Sequence, residues 1–213
     1  MDLNLSAFQE PRGVMRIFQF IFAICAFATT TNYTGFVEYF CNGDLKQTYP
    51  YYYPFRLSDH IVFQNCTGGK SEQVNVIGSF SSDAQFFVAT GVLSMLYALA
   101  ISVIYAKFDD KYKSNAQWPL IDFSLTVVLA VLWLSGSAAW ANGLNGLKTA
   151  TSPPIPDCKN CSISSSSFSS LDISVILGFL NFFLWASDLW FLYKETEWFQ
   201  EKQAAPAATT PTM

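Results

Sequence analysis

Cys158 and Cys161 enclose Lys159 and Asn160 in a C-x-x-C spacing, which serves dithiol redox catalysis or supplies half of a zinc site. Redox use needs a thioredoxin-like βαβ setting and zinc needs a second ligand pair; the sequence offers neither, and its single histidine, His60, is remote. A structural disulfide is therefore expected. His60 lies between Asp59 and Ile61-Val62-Phe63, the setting of a packed or solvated loop residue rather than of a base. The other candidates are Asp122, Asn181 and Asp188, polar residues inside apolar stretches, where such groups either line ion paths or sit in helix contacts and at interfaces. Both acids lie toward the same, cytosolic side of the expected membrane, Asp122 near the start of its stretch and Asp188 near the end of its own. No polar run continues to the far side, so packing or interfacial placement is expected over conduction. No nucleophile with a paired base, phosphate-binding glycine loop or metal-ligand cluster is apparent, and neither an enzyme nor a cofactor is expected.

The elements that would hold these residues are set by composition. The 213 residues are 51% hydrophobic and 17% aromatic but only 13% charged, roughly half the charged share of an average soluble domain. Disorder and a soluble enzyme are disfavoured, and a net charge of −4 without a basic run argues against nucleic acid. Four apolar runs predict membrane spans at residues 17–37, 84–106, 119–142 and 173–193, each near the roughly 20 residues needed to cross a bilayer. A polar segment, 1–13, precedes them, and a tail, 194–213, reads as disordered. The expected fold is thus an all-α four-helix membrane bundle occupying residues 14–193. A cleavable signal peptide is the rival for the first run, but its apolar character continues past Ala28 to spanning length. Ser135, Gly136, Ser137, Ala138 and Ala139 form a run of small residues in the third span, and Ser135, Gly136 and Ala139 are the expected helix-packing positions toward an oligomer or partner.

Four crossings place both termini and the turn at 107–118 on one side, and the loops at 38–83 and 143–172 on the other. The terminal segments and turn hold Arg12, Arg16, Lys107, Lys111, Lys113, Lys194 and Lys202; the long loops hold Lys46, Arg56, Lys70, Lys148 and Lys159. The positive-inside rule then makes the termini cytosolic and the loops lumenal. Cys41, Cys66, Cys158 and Cys161 all fall in the loops, as an oxidising lumen requires, while Cys25 lies in span one. These four cysteines allow three pairings; sharing a loop favours Cys41 with Cys66 and Cys158 with Cys161. Sequons at Asn65 and Asn160 mark the same loops as glycosylation candidates. The first loop also carries β-like runs at 60–63 and 73–77, and a Tyr-Pro cluster at 49–54 expected to pack that loop against its own disulfide.

Several separated stretches resemble the synaptophysin family of tetraspan vesicle proteins, within the wider MARVEL group. They are FAICAFATTTNYTG at 22–35, YPFRL at 53–57, DAQFFV at 83–88, AWANGL at 139–144 and GFLNFFLWASDLWFLYKET at 178–196. The resemblance implies a glycosylated multi-pass protein of synaptic or secretory vesicles with cytosolic termini. It also implies within-loop bridges Cys41 to Cys66 and Cys158 to Cys161, association with a synaptobrevin-type SNARE, cholesterol binding and homo-oligomers of hexameric form. The tail lacks the family's Tyr-Gly-Pro-Gln repeats, so functions of that tail do not transfer. Asp188 also stands where an uncharged residue is expected.

The function expected from these features is a non-enzymatic scaffold or sorting partner for fusion machinery and vesicle membrane organisation. An oligomeric channel or transporter is the alternative. A thiol oxidoreductase using Cys158 and Cys161 is a remote third.

Overall fold

Pro11 opens the first helix, where a missing backbone N–H costs nothing because that donor has no partner inside the helix. In the computed structural model, which describes residues 8–41, 45–63, 72–114, 117–153 and 161–196, this helix, α1, spans Pro11–Thr31. It ends as the Asn32 N–H closes on Ala28 O. The first span therefore lies six residues earlier than the expected 17–37. That charge-free run straddles a helix and a strand: from Thr34 onward Gly35, Val37 and Tyr39 turn inward and Phe36 and Phe40 outward, the two-residue alternation of β structure.

The other helices overrun their apolar stretches. α2 spans Ser81–Ser114 with a kink at Phe108, α3 spans Gln117–Ala150 and α4 spans Ser169–Glu195. Residues 107–118, expected as a turn, are thus mostly the extended ends of α2 and α3, and α3 runs on through Asn142 and Gly143. All four helices are long and apolar enough to cross a membrane. They pack as a ring, α1 on α2, α2 on α3, α3 on α4 and α4 back on α1. Large apolar side chains such as Leu93, Val131, Ile176 and Phe183 face outward. Ala23, Ala26, Phe87, Trp133, Trp140 and Trp185 fill the interior.

At one end of the bundle lie two small antiparallel sheets formed by β1 (Thr34–Cys41), β2 (Leu45–Tyr52), β3 (Arg56–Phe63), β4 (Glu72–Ser79) and β5 (Cys161–Ser165). The first has the order β2-β1-β5, the second is the β3-β4 hairpin. Two β runs were expected and are present as parts of β3 and β4; β1 was hidden inside the first apolar run, and β2 and β5 carry no comparable apolar signal. The β1–β5 ladder, Val37 opposite Ser165 through Cys41 opposite Cys161, joins the two long loops into one layer. The Tyr-Pro cluster bridges the loops too: Tyr51 stacks on Phe168 at 6.3 Å, and its hydroxyl lies 3.3 Å from Ser166 Oγ. Phe55 stacks on Trp140 at 5.3 Å, so sheets and helices share a continuous core.

A buried ion-pair cluster as candidate functional site

The opposite end of the bundle is organised by charge. Arg12, Arg16, Gln19, Ala23 and Ala26 recur at spacings of four, three, four and three, so one face of α1 presents two guanidiniums and an amide to the interior. Arg16 is fully buried. Its Nη2 donates to Asp122 Oδ1 at 2.6 Å and to Thr126 Oγ1 at 2.9 Å, both on α3. Its Nη1 lies 3.1 Å from Asp188 Oδ2 on α4 and donates to Gln19 Oε1 at 2.8 Å. Gln19 completes the circuit by donating from Nε2 to Asp188 Oδ2 at 3.1 Å.

Helix α2 supplies hydroxyls. Tyr97 donates to Asp122 Oδ1 at 2.7 Å, and Tyr105 and Tyr112 both donate to Oδ2, the latter at 3.1 Å. The rings serve the cations as well. Arg12 stacks over Tyr105 and Tyr112 at 4.9 and 5.0 Å, and Arg16 over Trp185 and Tyr97 at 5.1 and 5.5 Å. Arg12 also pairs with Glu10 at 2.7 Å, at the helix entrance. Arg12, Arg16, Asp122 and Asp188, all almost inaccessible, balance two positive against two negative charges. A buried charge is tolerable only with a partner and hydrogen bonds; here α1, α3 and α4 supply the charges and α2 supplies tyrosine hydroxyls to Asp122.

Chemically the arrangement is a clamp. Both Asp122 oxygens accept from neighbouring side chains, and Arg16 bridges Asp122 on α3 and Asp188 on α4. Among the described residues no cluster of His, Cys, Asp and Glu could hold a metal ion.

The structure brings two of the three predicted intramembrane polar residues together: Asp122 and Asp188 share Arg16. Asn181 does not join them; it lies two helical turns from Asp188 and donates its Nδ2 to Leu177 O at 2.8 Å. Of the expected helix-packing positions, Gly136 faces α2 of the same chain, with Thr90 Oγ1 nearest to where a Cβ would stand. Ser135 instead points outward and donates to Val131 O, and Ala139 is half-buried, because adjacent residues on a helix occupy different faces. Gly178, missed in the sequence, makes the closer approach: a Cβ there would meet Ser137 Oγ at 2.4 Å. The cations of the clamp were missed as well. Arg12 and Arg16 read as flanking charges, although their four-residue spacing, continued to Gln19, is the signal of a shared buried face.

Cys161 is disulfide-bonded and stands opposite Cys41 in the β1–β5 ladder, while Cys25 is free and exposed on α1. Cys66, Cys158, Asn65 and Asn160 lie outside the described residues, as does the tail beyond Thr196. A family model of a membrane-associating domain, MARVEL, matches residues 7–191, from just before α1 to the last turns of α4. With four spanning helices, an outer sheet layer and a match over nearly its whole length, the chain belongs to the MARVEL family of membrane-associating domains.

Proposed function

We propose that this multi-pass membrane protein is a non-enzymatic scaffold of secretory or synaptic vesicles, sorting or clustering fusion machinery of the synaptobrevin type. The observation that carries this reading is the Arg16 clamp. It consumes the intramembrane charges inside the bundle and leaves outward faces of apolar side chains such as Leu96, Val128 and Phe183, surfaces suited to lipid, sterol and the helices of other proteins. The vesicle setting, the cytosolic termini, the SNARE partner, cholesterol and the hexameric assembly are supported by the resemblance of residues 22–35, 53–57, 83–88, 139–144 and 178–196 to synaptophysin-type proteins. The within-loop disulfides are supported by that resemblance and by each pair's sharing a loop, and the use of Asn65 and Asn160 rests on their sequons alone.

Proximity crosslinking in isolated vesicles, read by mass spectrometry, tests the proposal. Crosslinks from the outward faces of α3 and α4 to the membrane anchor of a synaptobrevin-type SNARE are expected. Crosslinks to lipid alone, with the protein distributed across all membranes, would overturn the vesicle scaffold. Selective ion flux from purified protein in liposomes would establish the channel instead.

A further inference from the structure

We infer that the bundle holds internal water at two positions along the inner face of α4, one among Arg16, Trp185 and Asp188, the other among Trp133, Ser137 and Asn181.

At the first position, Arg16 Nε, Trp185 Nε1 and Asp188 Oδ1 are all buried and have no hydrogen-bond partner among the described residues. The Arg16 guanidinium carbon is 5.1 Å from the Trp185 ring, and Asp188 is one turn along α4 from Trp185, with its other oxygen paired to that guanidinium. Two N–H donors and one carboxylate acceptor thus stand unpartnered on side chains that already contact one another through the Arg16 guanidinium. A water molecule matches this set: its oxygen accepts from both nitrogens and one of its hydrogens goes to Oδ1.

At the second position the unpartnered atoms are Trp133 Nε1, Ser137 Oγ and Asn181 Oδ1. Trp133 and Ser137 lie one turn apart on α3. Gly178, one turn before Asn181, brings α4 against Ser137. The Asn181 amide nitrogen is committed to Leu177 O, which leaves the oxygen to accept from within the bundle. One donor, one hydroxyl and one acceptor again form a set that water completes.

Helices at membrane depth cannot leave such groups to the hydrocarbon, and protein cavities with several polar atoms hold water where apolar ones stay dry. On α4 Asn181 lies one turn from Trp185 and two from Asp188, so the two positions form a short hydrated seam leading away from the clamp. Trp140 closes it toward the sheets. It is as buried as Trp133 and Trp185, but its Nε1 donates to Ser174 Oγ at 2.9 Å.

Trp140 also supplies the internal control. Water-edited solid-state NMR on the full chain in bilayers, with nitrogen-labelled tryptophan, compares how fast each indole N–H receives magnetisation from water. Trp133 and Trp185 are expected to build up several-fold faster than Trp140, despite equal burial. In the Ser137→Ala/Asn181→Leu variant the Trp133 transfer is expected to vanish while Trp185 keeps its own, the Trp140 signal reporting that the fold is intact. Build-up at Trp133 and Trp185 no faster than at Trp140 overturns the inference, as does a Trp133 transfer that survives the double substitution. If the variant does not fold, the wild-type comparison decides alone.

Discussion

Arg16 Nη2 lies 2.6 Å from Asp122 Oδ1, although 106 residues separate the two in the chain. The contact joins the start of the first helix to the start of the third, and through Asp188 the same guanidinium reaches the end of the fourth. Since a lone buried charge costs far more than a buried pair, losing one member is worse than losing all. Arg16→Met should destabilise the bundle by about 3–5 kcal/mol, and Arg16→Met/Asp122→Leu/Asp188→Leu by clearly less. Thermal unfolding in detergent measures both; equal midpoints for the single and triple variants would remove the clamp from the account of stability.

Gly178 and Gly136 give a matched pair. A Cβ at 178 would stand 2.4 Å from Ser137 Oγ and 2.5 Å from the Phe87 ring, whereas at 136 the nearest atom is 3.5 Å away. Gly178→Ala should therefore cost about 1–3 kcal/mol through overpacking. Gly136→Ala should be neutral or stabilising by up to about 1 kcal/mol, from helix propensity. The reverse order of unfolding temperatures would contradict the packing described.

The spans were legible as charge-free runs because lipid-facing and core-facing helix surfaces are both apolar. What the runs could not reveal was where helix gives way to strand. Residues 34–37 are as uncharged as residues 17–33 before them, and only the alternation around Val37 and Tyr39 separates the two. Asp122 and Asp188 announced themselves as misplaced charges. Their partner did not, since Arg16 sits where a headgroup anchor is expected and its pairing depends on contacts across 106 residues. β5 was invisible for a different reason: Cys-Ser-Ile-Ser-Ser gains its strand form from the edge of β1 rather than from its own composition.

Cysteine chemistry divides along the same axis. Cys25 is free and exposed on the outer face of α1, while Cys161 is oxidised in the sheet layer. In native membranes a maleimide should leave Cys25 unlabelled, because its outward face on α1 meets lipid where the thiolate does not form, and should label Cys161 only after reduction. Cys25 should react once the protein is unfolded in detergent, as read by peptide mass spectrometry. Labelling of Cys161 without reductant would show the bridge absent.

The sheet layer should weaken at high pH. Burial raises the Tyr51 phenol above its ordinary value, and burial likewise raises Tyr39. Each holds its proton more firmly folded than unfolded, so the stability it contributes is complete below about pH 10 and is lost as the pH climbs beyond it. Tyrosinate absorbance should appear late for these rings and together with loss of sheet structure. Early, independent ionisation of Tyr51 would show that it is not enclosed between Tyr33 and Phe168.

The β1–β5 ladder also sets a timetable for biosynthesis. The free edge of β1 emerges early, but the strand that covers it is encoded beyond the third helix, so the outer layer stays open until most of the polypeptide has been translated and threaded. A nascent or truncated product that stops after α3 presents a bare strand edge to its surroundings, where such edges recruit chaperones or other chains. Docking of β5 onto β1 is therefore the step that closes this edge, and it comes only after the third helix has been made.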